Sequence, residues 1–165
     1  MSCEKSVRVL LVCLGNICRS PTAHGVLEHR LRAAGLDWVR VDSAGTAAYH
    51  QGHAPDTRAT AAAARRGVPL AHLRARQVVT ADFEQFDLIL AMDAQNLLDL
   101  RAQAPAGSSA SVRLFMDFAK GLEAEVPDPY YGGAAGFEQV LDMVEAASDG
   151  LIDQLCSGLW RRGGK

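Results

Sequence analysis

The chain has 165 residues, of which 48% are hydrophobic and 22% are charged, and its formal net charge is −2. This balance excludes extended disorder, and the length predicts a single domain over residues 1–165, with a frayed tail at about 161–165. The small net charge gives no reason to expect nucleic acid or an anionic membrane as a partner.

The early apolar run over residues 9–14 is too short to span a bilayer, and no small-residue cleavage site follows it. We therefore expect a cytoplasmic protein, in which structural disulfides are disfavoured. Cys13, Cys18 and His24 lack the paired spacing of zinc sites, so neither a metal nor a cofactor is expected.

The first predicted strand is VRVLLVCL (7–14), a near-continuous apolar run typical of a strand covered on both faces. A helix follows, with Ser20 as its expected N-cap, Pro21 in its first turn and Gly35 at its end. Further strands are predicted over 38–45, 86–93 and 112–118, and further helices over 56–67, 94–104 and 137–159.

The alternation of strands and helices predicts a three-layer α/β/α fold around a four-stranded parallel sheet. Asp93 is expected to cap the third helix, and Gly150 marks either a break in the last helix or a point of close packing. Ligands of such folds bind beyond the carboxyl ends of the strands, where the first strand-helix turn lies.

That first turn carries the segment VCLGNICRSP (12–21). Gly15 permits a tight bend and Asn16 tolerates a left-handed conformation, so successive N–H groups can converge on an anion. Arg19 adds a planar fork that suits two oxygens of a tetrahedral oxyanion. Beside a helix N-terminus and a cation, a thiol pKa near ~8.5 falls to roughly 3.5–7.5. We therefore expect Cys13 to be a thiolate that attacks a bound phosphate.

These residues resemble the low-molecular-weight protein tyrosine phosphatase family. VCLGNICRSP is similar to that family's phosphate loop, and DPYYGG (128–133) is similar to its general-acid loop. The segments over 42–46 and 76–98 also fit, so the resemblance covers nearly the whole chain. It implies hydrolysis of phosphotyrosine and of small aryl phosphates in two steps through a phosphocysteine.

The resemblance also implies a role for individual residues. Cys13 becomes the nucleophile, Arg19 holds the phosphoryl oxygens, and Asp128 acts first as general acid and then as base. A supporting hydrogen-bond network is implied for Asn16, Ser20, Ser43 and His72, and the Ser20 hydroxyl also helps the sulfur to leave. Substrate-binding residues are expected to be Leu14, Gly15, Asn16, Ile17, Cys18, Ser20, Tyr49, Tyr130 and Tyr131.

Three further expectations concern residues near the loop. Ile17 favours phosphotyrosine, because arginine phosphatases of the same fold typically carry threonine there. Cys18 is expected to form a reversible disulfide with Cys13 that prevents over-oxidation. His24 and Gly25 depart from the family pattern and are expected to change local packing without touching the chemistry.

Two other functions remain open at the level of sequence. A thioredoxin-coupled arsenate reductase shares the loop but needs further cysteines, and none lies between Cys18 and Cys156. A silent phosphotyrosine-binding module would not need the nucleophile, the arginine and the acid together. The expected partners are phosphotyrosine-containing proteins, with a bacterial tyrosine kinase as one candidate, and the expected state is a monomer.

Overall fold

A computed structural model describes residues 6–130 and 133–161 and contains one four-stranded parallel sheet. The strands are β1 (Val7–Cys13), β2 (Val39–Gly45), β3 (Leu88–Ala91) and β4 (Ser111–Leu114), in the order β2-β1-β3-β4. The helices are α1 (Arg19–Ala33), α2 (Thr57–Ala64), α3 (Asp82–Gln85), α4 (Ala94–Gln103) and α5 (Ala134–Ser157). The predicted three-layer fold is confirmed.

Strand β1 is central because both of its faces are covered by helices. Val9 and Leu11 pack into a cluster with α1, α2 and α5, whereas Leu10 and Val12 pack into a second cluster with α3 and α4. All four side chains are fully buried, which explains why the run is continuously apolar rather than alternating. Cys13 is the last residue of this strand and therefore lies at the carboxyl edge of the sheet.

The predicted elements at the C-terminal side need correction. Strand β4 ends at Leu114, where the chain turns into a 3₁₀ helix over Phe115–Phe118, and the short α3 was not predicted. Helix α5 continues through Gly150 without a break. A Cβ at this position would collide with the Phe118 carbonyl oxygen, so this glycine marks a point of close packing. Leu159 follows the left-handed Gly158 that ends α5 and is half exposed, so its assignment to the apolar stripe is wrong.

Candidate active site

The turn between β1 and α1 has a fixed conformation that depends on Asn16. This residue has a φ of 59°, the left-handed region expected for it. Its Nδ2 donates to Ser20 Oγ at 2.7 Å, and its Oδ1 accepts a hydrogen bond from the backbone N–H of Arg76 at 3.0 Å. Within residues 6–130 and 133–161, no hydrogen-bond partner is present for the backbone N–H groups of Leu14, Gly15, Ile17 and Cys18. These donors are therefore available to an anion.

The Cys13 thiol lies at the base of this turn and is almost fully buried. Its Sγ accepts a hydrogen bond from the Asn16 N–H at 3.3 Å and lies 3.1 Å from Ser20 Oγ. The Ser20 hydroxyl is also 3.4 Å from the Ala44 carbonyl oxygen of β2. Ser20 is thus inside α1 and makes no capping hydrogen bond, so its predicted N-cap role is wrong. Its hydroxyl is engaged with the sulfur and the loop instead.

Arg19 is the first residue of α1, and only 4% of its side chain is exposed. Its Nη1 donates to Asp93 Oδ2 at 2.7 Å and to the Val126 carbonyl oxygen at 3.1 Å, while Nη2 lies 3.8 Å from Asp128 Oδ2. Burial alone would lower the pKa of Arg19, but the charges of Cys13 and Asp93 outweigh it and raise that pKa. The guanidinium is therefore a permanent, oriented cation at the turn.

Asp93 has two functions, of which the sequence indicated one. Its Oδ1 accepts from the N–H of Asn96, which confirms the predicted cap of α4. Its second oxygen holds Arg19, a contact between residues 74 positions apart. The contact could have been anticipated from the positions of the two residues in the chain. Asp93 follows β3 and Arg19 follows β1, and the carboxyl ends of parallel strands lie at one edge of the sheet.

A cavity of about 160 Å³ opens above the turn. Asp128 enters it from the loop that precedes α5, and its Oδ1 accepts a hydrogen bond from the backbone N–H of Tyr130 at 3.0 Å. Of the residues predicted to bind substrate, Asn16 and Ser20 are not among the lining residues, and Tyr131 lies outside the described residues. The lining residues are Cys13, Leu14, Gly15, Ile17, Cys18, Arg19, Tyr49, His50, Asp128 and Tyr130.

His50 is a wall residue that sequence reasoning missed. Its ring centroid lies 6.4 Å from that of Tyr130 and 6.5 Å from that of Tyr49, so the three rings form one side of the cavity. The imidazole also covers Gly15, since a Cβ there would come within 2.9 Å of His50 Cδ2. In the sequence, only its position directly after Tyr49 pointed to a role in the cavity wall. A lone histidine in a loop does not by itself indicate a binding function.

Cys18 also lines the cavity but differs chemically from a reactive thiol. Burial raises its pKa to about 12, and the negative charges of Asp56 and Cys13 act in the same direction. The side chain therefore stays a neutral thiol at physiological pH. Cys13, Cys18 and the exposed Cys156 are all free thiols.

The supporting network contains a different histidine from the one expected. Ser43 Oγ lies 2.9 Å from Nδ1 of the buried His24, whose Nε2 is 3.3 Å from Glu28 Oε2. His72 is exposed, and the described residues show no hydrogen bond from it to Ser43, where His24 occupies that position. The reason is the helix period, because His24 lies one turn after Ser20 and faces the same end of β2.

The described ranges contain no evident metal site or membrane span. In residues 6–130 and 133–161, no group of three or more His, Cys, Asp or Glu side chains is arranged to hold a metal ion. The helices described in those ranges are also too short or too polar to cross a bilayer.

Comparison with known proteins gives the family. A family model described as low molecular weight phosphotyrosine protein phosphatase matches residues 8–158. The chain belongs to this family. A low molecular weight protein-tyrosine-phosphatase of Streptomyces coelicolor is 47% identical over 150 residues, covering 88% of this chain and 91% of the relative. A low molecular weight phosphotyrosine protein phosphatase of Schizosaccharomyces pombe is 46% identical over 136 residues, covering 81% and 86%.

The fold of this low molecular weight phosphatase is also that of solved relatives. A crystal structure of a protein tyrosine phosphatase from Entamoeba histolytica, with Hepes in its active site, has a TM-score of 0.90 and 40% sequence identity. It covers 93% of this chain, which covers 99% of that structure. The likeness therefore extends over most of this chain and nearly all of that structure.

Proposed function

We propose that the protein hydrolyses phosphotyrosine in proteins, and small aryl phosphates, through a phosphocysteine on Cys13. The single observation that carries this proposal is the meeting of Cys13, Arg19 and Asp128 at one cavity, although Asp128 comes from a loop more than 100 residues later. A nucleophile, an oxyanion clamp and a proton donor are the three groups that aryl phosphate transfer requires.

In the first step, the free N–H groups of the turn and the Arg19 fork bind the phosphate oxygens. The Cys13 thiolate attacks phosphorus, an S–P bond forms, and the P–O bond to the tyrosine breaks. Asp128, in its protonated form, gives its proton to the departing phenolate oxygen. The 3.8 Å between Asp128 Oδ2 and Arg19 Nη2 supports this role, since it places the carboxyl next to the clamped phosphate.

In the second step, the Asp128 carboxylate removes a proton from water while the water oxygen attacks phosphorus. The S–P bond breaks, inorganic phosphate leaves, and the sulfur departs as a thiolate. The Ser20 hydroxyl, 3.1 Å from the sulfur, supports that departure by donating a hydrogen bond to it. Asn16 and Ser20 hold the turn in one conformation, so the cradle is ready before substrate arrives.

The aromatic wall supports selectivity for a flat leaving group. Tyr49, His50 and Tyr130 form one side of the slot, and the apolar Leu14 and Ile17 line it as well. An aryl ring gains stacking and apolar contact there, whereas an alkyl phosphate gains neither. Tyr131 remains a prediction of the resemblance, because it lies outside the described residues.

A substrate panel tests the proposed function. We expect efficient release of phosphate from a phosphotyrosine peptide and from p-nitrophenyl phosphate, and at least about tenfold lower kcat/KM with the matching phosphoserine peptide. Phosphoarginine tests the prediction from Ile17, and arsenate with thioredoxin tests the reductase alternative. Preference for phosphoserine or phosphoarginine, or turnover only of arsenate, would overturn the proposal. Tight binding of phosphotyrosine without phosphate release would favour the silent binding module.

We also propose that Cys13 and Cys18 form a protective disulfide. Peroxide oxidises Cys13 to a sulfenic acid and releases water, and Cys18 then attacks that sulfur, releasing a second water. Both thiols are free and line the same cavity, which supports the pairing. A disulfide would keep Cys13 from the irreversible sulfinic state.

The raised pKa of Cys18 predicts how the rate of disulfide formation depends on pH. Because the thiolate is the attacking species and the pKa is about 12, its fraction rises about tenfold per pH unit from pH 6 to 9. Disulfide formation after peroxide should therefore accelerate with pH, measured by peptide mapping of quenched samples. In Cys18→Ser, recovery of activity under reductant should be lower than in the native chain. Equal recovery would contradict the protective role.

The remaining expectations concern the oligomeric state, the cellular location and the protein substrates of the enzyme. We propose a monomer that works in the cytoplasm on phosphotyrosine proteins, including a tyrosine kinase. The free, buried Cys13 supports a reducing compartment, because a thiol nucleophile is lost on oxidation. Size-exclusion chromatography with light scattering tests the monomer, and substrate trapping with Asp128→Ala from the native cell identifies the partners.

A further inference from the structure

The loop that carries Asp128 is connected to the phosphate turn by a residue outside the cavity lining. Arg58 lies in the first turn of α2, beside Asp56, which is the N-cap of that helix. Its Nη2 donates to the Tyr130 carbonyl oxygen at 2.9 Å, across 72 residues of sequence. Neither the sequence pattern nor the resemblance assigned a function to this arginine.

Arg58 is held in place from one side by Asp56. The guanidinium donates to both carboxylate oxygens, from Nε at 3.1 Å and from Nη2 at 2.9 Å, which is a bidentate pair. The same carboxylate accepts the Arg58 backbone N–H at 2.8 Å. Asp56 is itself attached to the phosphate turn, because its N–H donates to the Ile17 carbonyl oxygen at 2.8 Å.

On its other side, Arg58 holds the acid loop by contacts of two kinds. Besides the bond to the Tyr130 carbonyl, the guanidinium carbon lies 5.5 Å from the centroid of the Tyr130 ring and 4.9 Å from that of Phe137. Cation–π contact at these distances favours one ring position. The backbone N–H of Tyr130 in turn donates to Asp128 Oδ1 at 3.0 Å.

These contacts form a continuous chain from the phosphate turn to the proton donor. It runs from the Ile17 carbonyl through Asp56 and Arg58 to the backbone of Tyr130, and from there to the Asp128 carboxyl. We infer that Arg58 is a positioning residue for Asp128, which sets the distance between the carboxyl and the leaving-group oxygen. The inference rests on the proposed function of Asp128 as the general acid.

The leaving group distinguishes this role from a general effect on folding or on phosphate binding. A misplaced acid matters most when the departing phenolate is a strong base, and little when it leaves readily without a proton. For Arg58→Ala, kcat/KM should fall about tenfold with phenyl phosphate and at most about twofold with p-nitrophenyl phosphate. Arg58→Lys, which keeps the charge but loses the fork, should give an intermediate loss with the same trend.

Arg65, the C-cap residue of α2, provides a matched control. It is an exposed arginine that pairs with Glu138 of α5 at 2.8 Å, and its described contacts do not include the acid loop. Arg65→Ala should therefore change kcat/KM by less than about twofold with either substrate. A loss in Arg65→Ala that equals the loss in Arg58→Ala would mean that the effect is one of surface charge.

A double-mutant cycle with Asp128→Ala tests the chain of contacts directly. If Arg58 acts through Asp128, Arg58→Ala should change kcat/KM for phenyl phosphate by less than about twofold once Asp128 is removed. An equal loss in both backgrounds, or an equal loss with both leaving groups, would overturn the inference about Arg58. If Asp128→Ala itself costs no activity with phenyl phosphate, the proposed acid fails, and that result is distinct from the first.

Discussion

The floor and the rim of the cavity are built in different ways. The floor is the turn from Cys13 to Ser20, where Cys13 is 3% exposed, Ser20 is fully buried, and three internal hydrogen bonds join Cys13, Asn16 and Ser20. The rim comes from loops, with Tyr49 at 73% exposure and the Asp128 side chain at 45%. In the proposed mechanism, the group that attacks phosphorus is therefore buried, whereas the groups that meet the leaving side of a substrate lie on exposed loops.

The largest effect should follow from removing Cys13, the proposed nucleophile, from the floor. Cys13→Ser should lower kcat by at least about 10⁴-fold, because a serine hydroxyl is not ionised by this cradle. Inorganic phosphate should still bind, since the N–H groups and Arg19 are retained. Steady-state assays with p-nitrophenyl phosphate measure the first effect and calorimetry the second. Residual activity above about 1% of the native value would remove Cys13 from the mechanism.

The next largest effect concerns Asp128, the proposed proton donor on the rim. Asp128→Ala should lower kcat/KM for phenyl phosphate by about 10² to 10³-fold, within the range of general acid catalysis. Asp128→Asn should behave similarly, because the amide keeps the shape but donates no proton to the leaving oxygen as an acid does. If both variants instead raise KM and leave kcat unchanged, Asp128 is a binding group and not the acid.

A pair of glycines compares, at matched size, a contact with the backbone of the floor and a contact with the wall side chain His50. A Cβ on Gly45 would lie 2.6 Å from the Leu14 carbonyl oxygen, so the backbone of the turn has to move. A Cβ on Gly15 would meet His50 Cδ2 at 2.9 Å, and that side chain can rotate away. We expect Gly45→Ala to lower kcat about tenfold or more and Gly15→Ala mainly to raise KM. The reverse order would contradict the division between floor and rim.

The smallest effect should come from the aromatic wall. Tyr130→Ala keeps the backbone N–H that holds Asp128 but removes a ring that lines the slot. KM for a phosphotyrosine peptide should rise about three- to tenfold, with kcat within about twofold, because one stacking contact is lost. Leu98→Ala, at an exposed leucine of α4, is the control for loss of apolar surface and should change neither parameter.

The features that follow from local pattern were predicted well. The buried β1 strand, the left-handed Asn16 and the cap at Asp93 depend on neighbouring residues, and the structure agrees with each. Ser20 fits a cap pattern equally well, but its hydroxyl is engaged by the Cys13 sulfur and the Asn16 amide, which a local rule does not include.

Two contacts between distant segments were not predicted from the sequence. The hydrogen-bond partner of Ser43 is His24 and not the expected His72, because α1 packs against β2 and places His24 beside Ser43. The hydrogen bond from Arg58 to the Tyr130 carbonyl oxygen could not be predicted from the sequence, because every residue has a backbone carbonyl and no residue type marks the one that accepts. Such contacts become visible only when the fold brings the two loops together.

A single-turnover experiment tests the central claim most directly. Native enzyme in excess over a phosphotyrosine peptide is quenched with acid at successive times, and its cysteine peptides are examined by mass spectrometry. We predict a phosphoryl group on the peptide that contains Cys13, formed together with dephosphorylated peptide and lost as inorganic phosphate appears. Phosphate released at every time without a phosphorylated Cys13 would contradict the account, because direct attack by water would then explain the reaction.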